Sequence, residues 1–165
     1  MVEVTSSGIA KVTLPSDEEF LITREFDAPK HLVYKAWTTP ELVERWWPGL
    51  RGKLKSTEID LRVGGAWRYV MEAHGGFEVA FHGEFREIVP NERIVNTEIF
   101  EGTPEGDSEP ALNIVTFTEV DGRTTLSLLT QVSSKEIRDM IIDTGMEAGM
   151  QEGMDLLEQV AISLR

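Results

Sequence analysis

Cysteine is absent from the 165 residues, which excludes disulfides, thiolate nucleophiles and cysteine-ligated metals. Basic residues are scarce: Lys and Arg total 16 against 29 Asp and Glu, a net charge of −13. That balance repels phosphate backbones and anionic membranes, so neither is an expected partner. Long apolar runs are missing as well. No window approaches the ~20 apolar residues of a membrane span, and MVEVTSSGIAKVTLPSDEEF has no basic stretch leading into an apolar one. The expected compartment is the cytoplasm. Histidine is limited to His31, His74 and His82, at spacings that fit neither a metal site nor a catalytic triad. Gly64-Gly65 lacks the context of a phosphate-binding loop, so no nucleotide site is expected. No metal and no cofactor are predicted.

What the chain does have is concentrated in its last stretch, Ser133 to Arg165. Two capping-box spacings, Ser133 with Glu136 and Thr144 with Glu147, predict two helices with a break near Asp143-Thr144-Gly145. The apolar phase agrees. At ~100° per residue, Met146, Met150, Met154, Leu157, Ala161 and Leu164 share an arc roughly 80° wide, while Ile137 and Ile141 fall on the other side. The second helix would run about 30 Å at ~1.5 Å per residue, so a concave surface is needed to cover it. Gly145, Gly149 and Gly153 lie beside its methionine stripe, each costing roughly 1 kcal/mol of helix stability relative to alanine. Close backbone packing explains such glycines, and so does a pocket wall of small residues and adaptable thioethers.

Upstream, residues 8 to 14 alternate imperfectly and read as an edge strand or a loose arm, within an N-terminal stretch of residues 1–17. Phe20, Ile22 and Phe26 share one face of a strand, with Arg24 on the same face. Ala28-Pro29 opens a helix carrying Val33, Ala36 and Trp37 at helical spacing. Thr39-Pro40 opens a second, Glu41 to Trp47, which Pro48-Gly49 stops. Lys53 to Val63, Ala66 to Ala73, Phe77 to Val89, Arg93 to Glu101, Ala111 to Glu119 and Arg123 to Val132 follow as strands. Turns are expected at Gly64-Gly65, Gly75-Gly76, Pro90-Asn91 and Asp121-Gly122, an acidic loop at Gly102 to Pro110, and a bulge or bend at Gly83. From Phe20 this makes about seven strands. The fold class is α+β: a curved antiparallel sheet gripping a long C-terminal helix, in one domain over residues 1–165.

Four stretches, LPSDEEFLITREFDAPKHLVYKAWTTPELVERWWPG, EIDLRVGGAWRYVM, FHGEFREIVPNERIVNTEIFEG and SSKEIRDMIIDTGMEAGMQEGMDLLEQ, resemble bacterial members of the START-like (SRPBCC) superfamily. Within it they look most like the family named after the activator of the heat-shock-protein-90 ATPase. The resemblance runs from about Val12 to Leu164. It implies a helix-grip fold with an internal cavity, in a superfamily that includes lipid and hormone binders, polyketide cyclases and lyase-like enzymes.

The candidate site follows from both lines. Trp46, Trp47 and Trp67 either plug the core or line a cavity with Tyr69, Met71, Phe81, Phe100, Met146 and Met150. Asn96 and Glu98 share a strand face with Ile94 and Phe100, so Glu98 and Arg24 both point inward, as a buried structural pair or as polar groups of a pocket. Asp60 and Arg62 are either part of a hairpin or a pocket rim. The expected function is binding of an apolar or aromatic small molecule between sheet and helix. Two alternatives stand beside it: a cyclase- or lyase-like enzyme with Glu98 as general base, and a chaperone- or client-binding module acting through an exposed surface. The oligomeric state, homodimer included, is left open.

Overall fold

The computed structural model describes residues 10–49, 51–101, 110–144 and 146–165. In chain order the elements are β1 (Lys11–Ser16), β2 (Glu19–Phe26), α1 (Lys30–Thr38), α2 (Pro40–Val43), β3 (Gly52–Ile59), β4 (Ala66–Ala73), β5 (Glu78–Val89), β6 (Arg93–Phe100), β7 (Ala111–Val120), β8 (Arg123–Gln131), α3 (Lys135–Asp143) and α4 (Met146–Ser163). All eight strands join one antiparallel sheet in the order β1-β2-β8-β7-β6-β5-β4-β3. The seven strands expected from Phe20 onward are present, and the N-terminal arm adds the eighth as an edge strand. Although β2 and β3 are consecutive in sequence, they lie towards opposite ends of the sheet, and α1 and α2 make the crossing between them.

Alternation decides which face of the sheet is covered. Phe20, Ile22, Arg24 and Phe26 of β2 are all buried, as are Asn113, Val115 and Phe117 of β7. α4 covers this inner face with Met154, Leu157 and Ala161 of the predicted stripe, joined by Val160, which the stripe did not include. Arg24 secures the helix. Its guanidinium donates to the Met154 carbonyl at 2.6 Å and reaches Asp155 Oδ1 at 3.0 Å and Glu158 Oε1 at 3.2 Å, while lying 4.7 Å from the Phe26 ring centroid.

Several boundaries differ from the sequence reading for local reasons. The break between the two C-terminal helices lies where expected, but the caps do not. Ser134, not Ser133, caps α3, accepting from the Ile137 N–H at 3.2 Å. The Thr144 hydroxyl donates back to the Ile141 carbonyl at 2.6 Å, so it closes α3 instead of opening α4. α2 stops at Val43, and Glu44 to Gly49 continue as turns. β3 ends at Ile59, so the β3–β4 connection is a six-residue turn (60–65) and not a two-residue hairpin. Arg62 and Asp60 pair with each other on that exposed turn, at 2.9 Å. Asp121 and Gly122 both have positive φ, 54° and 79°, as a two-residue hairpin loop requires. The expected acidic loop, at 102–109, lies outside the described residues, as does Gly145.

Candidate functional site: a cavity under the C-terminal helix

The register of the sheet aligns a set of inward side chains across five strands. Phe20 pairs with Thr130, Thr130 with Asn113, Asn113 with Asn96 and Asn96 with Phe85. The next row reads Ile22, Leu128, Val115, Ile94 and Ile88. A polar segment is thus set between two phenylalanines and above an aliphatic floor. Towards the other end of β6, two residues on, Glu98 points to the same side.

Over these rows, between sheet and α4, lies a cavity of about 300 Å³, within the range of small-molecule pockets, roughly 300–1,000 Å³. Its floor includes Ile94, Asn96, Glu98, Asn113, Leu128 and Thr130. Its roof is Met146, Gly149, Met150, Gly153 and Met154 of α4, and its end wall is Trp37 and Thr38 of α1 with Trp46 and Trp47 of the following turn. Trp67 and Tyr69 of β4 close the side.

The aromatic wall is held by ring contacts and by two indole N–H groups tied to backbone carbonyls. Trp46 Nε1 donates to the Ala36 carbonyl at 2.9 Å, and Trp67 Nε1 to the Thr97 carbonyl at 3.0 Å. Trp46 stacks on Trp37 at a centroid distance of 4.9 Å, Trp47 meets Tyr69 at 5.2 Å, and Trp67 meets Tyr69 at 4.9 Å. The Trp67 bond crosses an intervening strand, and Gly83 makes room for it: a Cβ there would stand 1.8 Å from the Thr97 oxygen and 2.6 Å from the indole nitrogen. Regular β5–β6 pairing is interrupted at Gly83 and Glu84, where the Glu84 N–H donates to the Thr97 hydroxyl at 2.9 Å. The register then shifts between Phe85 and Glu87. The bend expected at Gly83 is therefore a passage for an indole.

The α4 glycines also have a local cause. A Cβ at Gly153 would lie 3.2 Å from the Trp46 carbonyl oxygen, and one at Gly149 would lie 3.2 Å from the Arg51 guanidinium. Small residues on the roof let the tryptophan turn and the segment after it lie directly against the helix.

The polar groups form a directed chain. The Thr130 hydroxyl donates to Asn113 Oδ1 at 2.8 Å, and Asn113 Nδ2 donates to Glu98 Oε1 at 2.7 Å. Burial raises the Glu98 carboxyl above its ordinary range, and the Asn113 hydrogen bond opposes that shift only in part. The Tyr69 hydroxyl is pushed well above its usual value, first by burial and then by the charge of Glu98. No basic side chain pairs with Glu98 among the described residues.

Of the aromatic and methionine candidates, Trp46, Trp47, Trp67, Tyr69, Met146 and Met150 line the cavity together. Phe81, Phe100 and Met71 do not. Phe81 stands behind Trp47 at 5.4 Å and carries Phe100 at 5.1 Å, so both back the wall from outside. Met71 lies two residues beyond Tyr69 on β4, opposite Leu54 of β3. Of the polar candidates, Asn96 and Glu98 line the space, while Asp60 and Arg62 sit on the exposed turn and Arg24 is committed to α4. The expected pairing of Arg24 with Glu98 does not form, because the arginine is taken up by the carbonyl and carboxylates of the helix above it. His82 is on the opposite side of the sheet, where it and Arg68 share Glu101 at 2.8 and 2.9 Å. Sequence reasoning missed Asn113, Thr130 and Trp37. The alternation of Asn113 with Val115 and Phe117 was the available signal for the first, whereas Trp37 has the spacing of an ordinary core residue.

The family model described as Activator of Hsp90 ATPase homolog 1-like protein matches residues 27–161. No curated protein matches the sequence significantly. Among solved structures, a protein from Rhodobacter sphaeroides superposes with a TM-score of 0.86 at 19% identity, covering 94% of this chain and 99% of that one. A Nitrosomonas europaea protein gives 0.81 at 20% identity over 91% and 97% of the two chains. A Chromobacterium violaceum protein gives 0.76 at 26% identity over 88% and 98%. With the family match spanning most of the sequence and an antiparallel sheet gripping the C-terminal helix, this chain belongs to the Activator of Hsp90 ATPase homolog 1-like protein family, within the START-like group.

Proposed function

We propose that the protein binds an apolar or aromatic small molecule in the cavity beneath α4. The observation that carries this reading is the composition of the space: about 300 Å³ walled by tryptophan, tyrosine and methionine, with one short polar chain ending on Glu98. A mostly apolar lining with a few converging polar groups is how small-molecule sites combine affinity with orientation. A cyclase- or lyase-like reading has one specific support. Glu98 is the acid lining the cavity, and its raised pKa moves it towards the range in which a general base works near neutral pH. A chaperone-related role is suggested by the family's description alone.

The test is titration with the neutral dye prodan, read by calorimetry and by quenching of tryptophan emission. One dye per chain is expected. Met150→Trp should fill the space and abolish binding while leaving the melting temperature within a few degrees of the parent. In a packed core the same change would overpack at about 1–3 kcal/mol. A strongly destabilised Met150→Trp protein, together with a parent that takes up no dye, refutes the reading.

A further inference from the structure

Glu98 has no counter-charge among the described residues, in a space lined mostly by aromatic and aliphatic side chains. Its Oε1 takes one N–H from Asn113 at 2.7 Å. Two arginines of the sheet are engaged elsewhere: Arg24 holds Met154, Asp155 and Glu158, and Arg68 makes a two-bond pair with Glu101 on the other face. The Asn113 amide cannot turn to offer Glu98 more, because its oxygen is fixed by the Thr130 hydroxyl at 2.8 Å. Asn96 is turned away as well, donating to the Thr97 carbonyl at 3.1 Å. The second carboxylate oxygen and the Tyr69 hydroxyl take no hydrogen bond from any described residue.

Resting on the small-molecule reading above, we propose that the ligand carries a protonated amine on an apolar or aromatic body, the ammonium pairing with Glu98 among the faces of Trp46, Trp47, Trp67 and Tyr69. Three independent features favour a cation over other polar groups. An ammonium supplies the charge compensation and the N–H donors that the protein withholds from Glu98, and a half-buried carboxylate without a basic partner among the described residues gains from such a pairing. Indole and phenol faces attract cations, the more so when water is excluded, and the Trp46 and Trp67 N–H groups are tied to backbone carbonyls, which leaves those rings no donor to offer an anion. The net charge of −13 raises the local concentration of cations around the whole molecule. By the same argument a fatty-acid or other carboxylate head would meet Glu98 as a like charge and be rejected.

Three probes of nearly equal shape decide the matter by calorimetry: naphthylmethylamine, ethylnaphthalene and acetylnaphthalene. The amine should bind at least about tenfold more tightly than ethylnaphthalene, which corresponds to ~1.4 kcal/mol. Glu98→Gln, which keeps the shape and a hydrogen-bonding group but loses the charge, should bring that ratio close to unity. The comparison among probes on the unmodified protein stands even if the variant folds poorly. Ethylnaphthalene binding as well as the amine overturns the ammonium proposal and leaves the apolar cavity reading intact. Acetylnaphthalene binding more tightly than the amine overturns it in another way, making Glu98 a protonated donor to a carbonyl. If none of the three binds, the small-molecule reading itself fails, and the proposal fails with it.

Discussion

Gly83→Ala is the change whose consequence can be worked out most fully from the geometry. The new methyl would be placed 1.8 Å from the Thr97 carbonyl oxygen and 2.6 Å from Trp67 Nε1, so both the β6 backbone and the indole must give way. If the indole swings out, its N–H loses the 3.0 Å bond to Thr97 and is left buried without a partner, at a cost of about 1–3 kcal/mol. Pushing β5 from β6 adds an overpacking term of about 1–3 kcal/mol. The sum, ~2–6 kcal/mol, corresponds to a fall in melting temperature of roughly 4–24 °C, at ~2–4 °C per kcal/mol for a chain of this size. Thermal and urea denaturation of the parent, Gly83→Ala, Trp67→Phe and the double variant form a cycle that separates the two terms. Phenylalanine has no N–H to strand, so in that background the alanine should cost only the strand term, and the cycle should return a coupling of about 1–3 kcal/mol. Equal costs in both backgrounds, or a melting temperature within about 2 °C of the parent, would show that the indole does not cross the sheet at Gly83.

The two described glycines on the α4 roof should respond with opposite signs in urea denaturation. Gly149→Ala approaches the exposed guanidinium of Arg51, the end of a long side chain that can shift, and should gain up to ~1 kcal/mol of helix propensity, whereas Gly153→Ala pushes on the Trp46 carbonyl within a hydrogen-bonded turn and should destabilise despite that gain. Arg24→Leu should lower stability by about 2–3 kcal/mol, between the values for exposed and fully buried ion pairs, because its partners Asp155 and Glu158 keep some access to water. Prodan affinity of that variant, measured where it is still folded, should stay close to the parent's, as expected of a clamp outside the cavity. Glu98 sets a pH effect whose sign follows from its raised pKa. Between the unfolded carboxyl's pKa and the higher folded one, the folded state holds more protons, so the favourable contribution present at acid pH is lost as pH rises through that window. Glu98→Gln, compared with the parent by denaturation across pH, should therefore be the more stable protein at neutral pH and lose its advantage in acid; a constant difference would contradict the burial of this carboxyl.

The sheet and its helix were legible because each rests on a local signal. Period-two runs between turn residues marked seven strands, and the phase change between Ile141 and Met146 marked the helix break. The errors occurred where tertiary contact overrode local grammar. Ser133 and Thr144 have the right spacing for capping boxes, yet Ser134 is the residue that accepts from the Ile137 N–H, and the Thr144 hydroxyl donates back to Ile141. At the site, the inward set on each strand could be read, but register between strands could not, since it is fixed by bulges and long connections that alternation does not report. Phe81, Phe100 and Met71 therefore looked equivalent to Trp67 and Tyr69, although they lie beyond the cavity's edge. The two-residue Asp121-Gly122 hairpin does fix Asn113 opposite Thr130, but the long connection between β6 and β7 hides that Asn96 continues the same row. Arg24 was visible as an inward arginine, but its partners come from a helix 130 residues later.

The polar row also bears on whether the cavity is a packing accident. A purely structural network in a core is expected to satisfy its own members, because an unpaired buried group costs about 1–3 kcal/mol. Here the hydrogen bonds run one way, from Thr130 through Asn113 to one oxygen of Glu98, and stop there. Leucine at 113 and 130 would fit the alternation and suit a filled core better, as Leu126 and Leu128 do on the same face of β8. The helix above this polar chain bears glycines that weaken it, and the sheet below is opened at Gly83 to seat an indole beside it. Gly83 and Gly153 are demanded by the seating of Trp67 and of the Trp46 turn, so the cost in intrinsic strand and helix propensity is incurred to place the aromatic wall, while Arg24 and the Trp37–Trp46 stack strengthen the fold around it. On the proposed small-molecule reading, rigid aromatic walls held from the periphery would preorganise such a site. It also makes Glu98 the residue at which ligand affinity and stability should trade against each other: an isosteric neutral replacement is expected to strengthen the fold and weaken the site.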